Sequence, residues 1–148
     1  MGGLTITLYL PDFCRAGKIA IIGIGEVPTR TMPERTRWDI LYEVCMEAVK
    51  DSGLHKNDIE GTVIVSPQAQ ERLTGELSFG KLPEELGLKG VRDSVVINAG
   101  GASTSNCLRM AEQWIESGIA KAVLIPHVTV HSTIPLPDVV NFFARAGV

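Results

Sequence analysis

An α/β fold, a mostly parallel sheet with helices on its faces, is predicted by three features of this sequence. Runs of β-branched and other apolar residues recur over 18–25, 59–67, 94–99 and 122–128. Between them lie stretches whose apolar residues repeat at helical spacing, and glycine or proline closes most of the segments. Strand alternating with helix at these intervals is the pattern of βαβ units, whose right-handed crossovers lay parallel strands side by side.

The first run, Lys18-Ile19-Ala20-Ile21-Ile22-Gly23-Ile24-Gly25, is continuously apolar, as suits a central strand buried on both faces. Residues 26–37 carry Pro28 and Pro33 among charges and hydroxyls and read as a surface loop. Over 39–51 the stripe Leu41, Val44, Cys45 and Ala48 predicts an amphipathic helix, with Gly53 as its stop. A turn at 54–58 leads to a second strand, ended by Pro67. Residues 68–78 read as a loop, and 79–86 as a short helix closed by Gly87.

A third strand, Ser94-Val95-Val96-Ile97-Asn98-Ala99, runs into Gly100-Gly101-Ala102-Ser103-Thr104-Ser105-Asn106 and a further helix. Cys107, Ala111, Trp114 and Ile115 share one stripe of that helix, Ser103 or Thr104 is placed to cap it, and Gly118 ends it. After the fourth strand, 122–128, the tail carries Val139, Val140, Phe142 and Phe143 and no further strand. The expected organisation is therefore an N-terminal extension (1–17), one domain (18–134), and the start of a truncated loop or helical region (135–148), so that the chain ends in mid-domain.

Composition narrows the function classes. At 148 residues and 45% apolar the chain is long enough to bury a core. Fourteen basic against seventeen acidic residues, a net charge of -3 with no long block of either sign, leave no footprint for nucleic acid or an anionic membrane. Small molecules and other proteins are the expected partners. Cys14, Cys45 and Cys107 are odd in number and widely spaced, which suits reduced thiols in the cytoplasm and provides no zinc motif. The first ten residues lack a basic region and a long apolar core, Ile6 stands where a myristoylation motif needs a hydroxyl, and no apolar run approaches the ~20 residues of a membrane span.

Four features invite a chemical reading. Gly23-Ile24-Gly25 follows a strand, but Pro28 stands where a dinucleotide fingerprint needs its third glycine, so a strand-ending bend is preferred. His127 and His131 are four apart with no acidic or thiol ligand at a suitable spacing, and they read as polar strand-end residues; His55 reads as a solvent-facing turn residue. Cys107 lies on the apolar stripe, where a buried, inert thiol is expected. The Gly100-Gly101-Ala102-Ser103 turn brings small residues to a helix N-terminus, whose N–H groups can meet a reacting carbonyl. Ser103 and Ser105 are the hydroxyls there, and with no partner base in sight they read first as caps.

These motifs, in this order, resemble the thiolase superfamily, in particular the branch containing the thiolase domain of sterol-carrier proteins. The resemblance runs from about Ile19 onward through Ile19-Ala20-Ile21-Ile22-Gly23-Ile24-Gly25, Ala48-Val49-Lys50-Asp51-Ser52-Gly53-Leu54, Ile59-Glu60-Gly61, and Asn98-Ala99-Gly100-Gly101-Ala102-Ser103 through Leu108-Arg109-Met110-Ala111 to Glu116-Ser117-Gly118. It implies a thiolase-like layered fold of which this chain is one half. The family's nucleophilic cysteine falls on Gly101, so no catalytic residue is assigned, and Gly100, Gly101 and Ser103 are expected to bind substrate. The resemblance further implies a CoA thioester as substrate, with no bound cofactor and no metal. The reaction would be carbon–carbon cleavage or formation of the acyltransferase or retro-aldolase type, in lipid metabolism, without an acyl-cysteine. An oligomer, or a complex with a zinc-ribbon and OB-fold protein, would complete it. The alternative is a non-catalytic half that acts as a scaffold or partner subunit.

Overall fold

A computed structural model describes residues 3–9, 19–66, 81–129 and 134–146. In chain order the elements are β1 (Gly3–Tyr9), β2 (Ala20–Val27), α1 (Arg37–Ser52), β3 (Gly61–Val65), α2 (Lys81–Glu85), β4 (Asp93–Ile97), α3 (Ser103–Glu116), β5 (Ala122–Val128) and α4 (Leu136–Ala146). The fold is the layered α/β arrangement the sequence predicts, with one strand more. The five strands lie in the order β2-β1-β5-β3-β4. β1 is antiparallel to both its neighbours, and β3 is parallel to β5 and β4, so four strands point one way and β1 opposes them.

Two helices cover opposite faces because strand side chains alternate. On β5, Ala122, Leu124 and Val128 join the core under α1, with Ile40, Leu41, Val44, Cys45 and Ala48. Val123 and Ile125 join the core under α3, with Cys107, Ala111 and Ile115. β3 divides likewise, Ile64 to one side and Val63 and Val65 to the other. This two-sided burial explains why both strands read as continuous apolar runs.

α1 starts two residues before its apolar stripe required. Thr36 caps it in a capping box: Asp39 N–H donates to Thr36 Oγ1, while Thr36 N–H donates back to Asp39 Oδ2 at 2.8 Å. Gly53, at φ 71°, closes it in the left-handed conformation that glycine adopts without strain. Gly23 and Gly25 do not end β2, contrary to the expected bend. The strand runs through them, and a Cβ at either would stand 2.2 Å from Ala48 O or 2.0 Å from Val44 O, so they are glycine to let α1 lie directly on the strand. β2 is also an edge strand rather than a central one. An inner place, between β2 and β5, is taken by β1, in the segment expected to be only an extension, and β5 is the middle strand.

Candidate functional site

The carboxyl ends of the parallel strands share one edge of the sheet, the edge at which open α/β sheets receive ligands. β3 and β4 pair in register from Gly61↔Asp93 to Val65↔Ile97, and Ser66 N–H continues the ladder to Ile97 O at 3.0 Å. β3 pairs with β5 only at Gly61↔Val123 and Thr62↔Leu124. Beyond that β5 contains Pro126, which has no N–H to give a ladder, so the ladder stops short of the carboxyl ends of the two strands.

The turn from β4 into α3 lies at this edge. Gly100–Ala102 form a 3-10 turn, with Gly100 at φ 57° and Ala102 N–H donating to Ala99 O at 3.1 Å. Ser103 closes the turn: its Oγ accepts from Ala99 N–H and donates to Gly100 O, both at 2.8 Å. Its side chain is thus spent inside the turn at 2% exposure, and neither Ser103 nor Thr104 is the N-cap; that position is Ala102, with no side-chain cap. Residues 98–102 are exposed, and among the described residues a Cβ added at Gly101 would meet nothing within 4 Å. Gly100 and Gly101 therefore border open space at the positive end of a fourteen-residue helix, while Ser103 holds the turn from beneath.

His127 lies at the carboxyl end of β5, on the alternating face it shares with Val123 and Ile125 and hence with α3. It is half-buried, and that burial lowers its pKa, favouring the neutral ring. His131 and Cys14 lie outside the described residues, as does the expected loop at 68–78. His55 is exposed as expected and has a local role: its Nδ1 accepts from Asn57 N–H at 3.2 Å at the head of a 3-10 turn.

The described thiols are not poised to react. Cys107 is fully buried under α3 and its pKa is raised to about 11 by desolvation; Cys45, under α1, is raised to about 12 by the same cause. Cys45 Sγ lies 3.8 Å from Thr5 Oγ1 of β1. Among the described residues no three His, Cys, Asp or Glu side chains cluster as metal ligands, and no helix is long and apolar enough to cross a membrane.

On the α1 layer a second hollow of about 460 Å³, lined by Trp38, Tyr42, Leu82 and Leu86, carries Glu43 and Glu85 among its acidic lining. Trp38 went unremarked in the sequence because it precedes the helix expected over 39–51; in the structure it lies in the first turn of α1, partly buried against the core. Its ring is already covered by Lys81 Nζ, 4.5 Å from the centroid.

No family model matches the chain. Among solved structures it is similar to one described as "Ltp2-ChsH2(DUF35) aldolase", at a TM-score of 0.62 and 23% identity over 74% of this chain. The match takes in 27% of that chain, so the present sequence spans about a quarter of its neighbour's length. At this identity the likeness is one of fold.

Proposed function

We propose that this chain is a thiolase-like module that holds a CoA thioester at the Gly100–Ser103 turn and takes part in carbon–carbon bond cleavage or formation without a covalent acyl-cysteine. The observation that carries this reading is the open space at Gly101. The position stands at the N-terminus of α3, outside the carboxyl ends of the parallel strands, with none of the described residues within 4 Å of an added Cβ. Glycine offers no nucleophile, so the turn contributes N–H groups and room: an enolate or alkoxide oxygen formed in a retro-aldol step would meet the positive end of the helix. The aldolase description of the structural neighbour agrees with that chemistry. Acid and base groups for the step would come from a further segment or from a partner such as a zinc-ribbon and OB-fold protein.

Isothermal titration of the chain with a short and a long acyl-CoA, alone and with candidate partner subunits, tests the reading. Saturable binding weakened at least tenfold by Gly101→Trp, which fills the open space, supports it. Absence of both saturable binding and turnover in every combination would sink it.

A second reading, a non-catalytic partner subunit, draws on exposed apolar residues. Leu136 and Val140 of α4 are 73% and 56% exposed, and Ile24 of β2 is 48% exposed. It predicts partner binding that G101W leaves unchanged.

A further inference from the structure

β1 is held by contacts that owe nothing to its covalent connection. It fills a channel between β2 and β5 and pairs along its whole length with each, from Gly3↔Val27 to Tyr9↔Ala20 and from Gly3↔Val128 to Tyr9↔Ala122. Each wall of the channel is anchored elsewhere. β2 is clamped to α1 through Gly23 and Gly25, and two N–H groups of its other backbone edge are taken by α1 carboxylates: Ile24 N–H donates to Asp51 Oδ2 and Glu26 N–H to Glu47 Oε2, both at 2.9 Å. β5 is fixed by both cores. Among the described residues β2 has no strand partner except β1, and with those outer donors taken, the channel is the side of β2 on which an incoming strand finds a full ladder.

The channel also reads register. Thr5 is fully buried, opposite Gly25 on one side and Pro126 on the other, with its hydroxyl 3.8 Å from Cys45 Sγ. A slip of one residue would turn Thr5 away from α1 and put its neighbour's side chain there. Ten residues join Tyr9 to its cross-strand partner Ala20. Two residues suffice to join adjacent antiparallel strands. Ten extend to roughly 33 Å, enough to carry the strand out to another molecule.

We propose that the channel between β2 and β5 is a strand-accepting site and that its second occupant is the Gly3–Tyr9 strand of another copy of this chain. Reciprocal exchange closes a two-fold dimer in which every β1 ladder bond and the Thr5–Cys45 contact are kept, so the balance between monomer and dimer is set by concentration. A short tether supplies its own strand at an effective concentration of the order of millimolar. Exchange therefore competes when the full chain is refolded near that value.

The test co-refolds ¹⁵N-labelled and unlabelled full chains at roughly 10 µM and roughly 1 mM, bracketing that effective concentration, and weighs the products by native mass spectrometry and light scattering. A synthetic peptide of residues 3–9 is present in half the samples, and its Thr5→Pro version in matched controls. Expected are mixed-mass dimers at the higher concentration, which the wild-type peptide converts to peptide-bound monomers and the proline peptide leaves intact, because proline cannot donate to a ladder. A chain that is monomeric throughout and retains no peptide overturns the proposal. So does a dimer that neither peptide dissociates, or one that both dissociate equally. None of these readouts depends on CoA binding, so the test stands apart from the proposed activity.

Discussion

Introducing a thiol at the turn by Gly101→Cys gives the most direct test of the site's geometry. Gly101, unlike Gly100, is not in the left-handed region, and among the described residues an added Cβ meets no atom within 4 Å. The substitution should therefore change stability by no more than about 0.5 kcal/mol, the range of an unstrained surface change. The reactivity should differ greatly between sites. At pH 8 a thiol of pKa about 11, as at Cys107, is ionised to about one part in 10³, and one of about 12, as at Cys45, to one in 10⁴. An ordinary exposed thiol of pKa ~8.5 is about one-quarter ionised, and a helix N-terminus lowers that pKa further. Thiolate fraction alone thus gives the introduced thiol at least about a 200-fold advantage over Cys107, before counting its better access. Iodoacetamide labelling followed by peptide-resolved mass spectrometry reads each cysteine separately. If the position-101 thiol is alkylated within tenfold of the Cys107 rate, the claim that this turn is open and electropositive fails.

Other substitutions test the supports of the site. Gly25→Ala would drive a methyl into Val44 O, and Gly23→Ala into Ala48 O; each should lower unfolding free energy by about 3 kcal/mol or more in urea titration, whereas Gly101→Ala should lie within about 0.5. Ser103→Ala removes the partner of Ala99 N–H and of Gly100 O and should cost about 1–3 kcal/mol, with faster hydrogen exchange at the Ala99 amide as its local signature. Thr36→Ala should cost about 1 kcal/mol by uncapping α1. His127 has a folded pKa below its unfolded value near 6.5, so the unfolded chain binds the extra proton. Its contribution to stability is full above that unfolded value and is lost as pH falls through the lower folded one; His127→Gln should flatten this part of the stability–pH curve relative to wild type.

The core was legible in the sequence because the strands buried on two faces, β3 and β5, are apolar at successive steps over Val63–Val65 and Ala122–Pro126, and because α1 and α3 carry apolar stripes. The β4–α3 turn was legible as a strand-to-helix junction because a run of small residues separates an apolar strand from a helical stripe. Two things were not read. The alternation of apolar and hydroxyl or aromatic residues over Leu4-Thr5-Ile6-Thr7-Leu8-Tyr9 is the period-two signature of a strand. Its inner place in the sheet depends on pairing with β5, more than a hundred residues away, which no local pattern encodes. Gly23 and Gly25 carried a signal with two meanings, phosphate approach or helix approach, and only the position of α1 decides between them. Ser103 was seen as a cap or a ligand group, whereas a serine at the head of a helix can also fold its hydroxyl back under the preceding turn, as it does here.

The strand-accepting channel and the open turn lie in different parts of the sheet, and β5 joins them. Ala122, Leu124 and Val128 pack beneath α1, whose underside also receives Thr5 of β1, while Val123 and Ile125 pack beneath α3, which carries the turn. A change that shifts β5 along its axis must disturb both cores, since close-packed side chains on its two faces cannot slide independently. Pro126 lies on the boundary, opposite Thr5 on the β1 side and just past the point where the β3 ladder stops. Substitution by alanine, Pro126→Ala, restores a donor that would let that ladder extend toward the carboxyl ends of β3 and β5. If the unpaired backbone groups there face bound substrate, P126A should weaken acyl-CoA binding while leaving β1 in place. Unchanged binding, together with slower exchange of the new amide, would show that the turn alone defines the pocket.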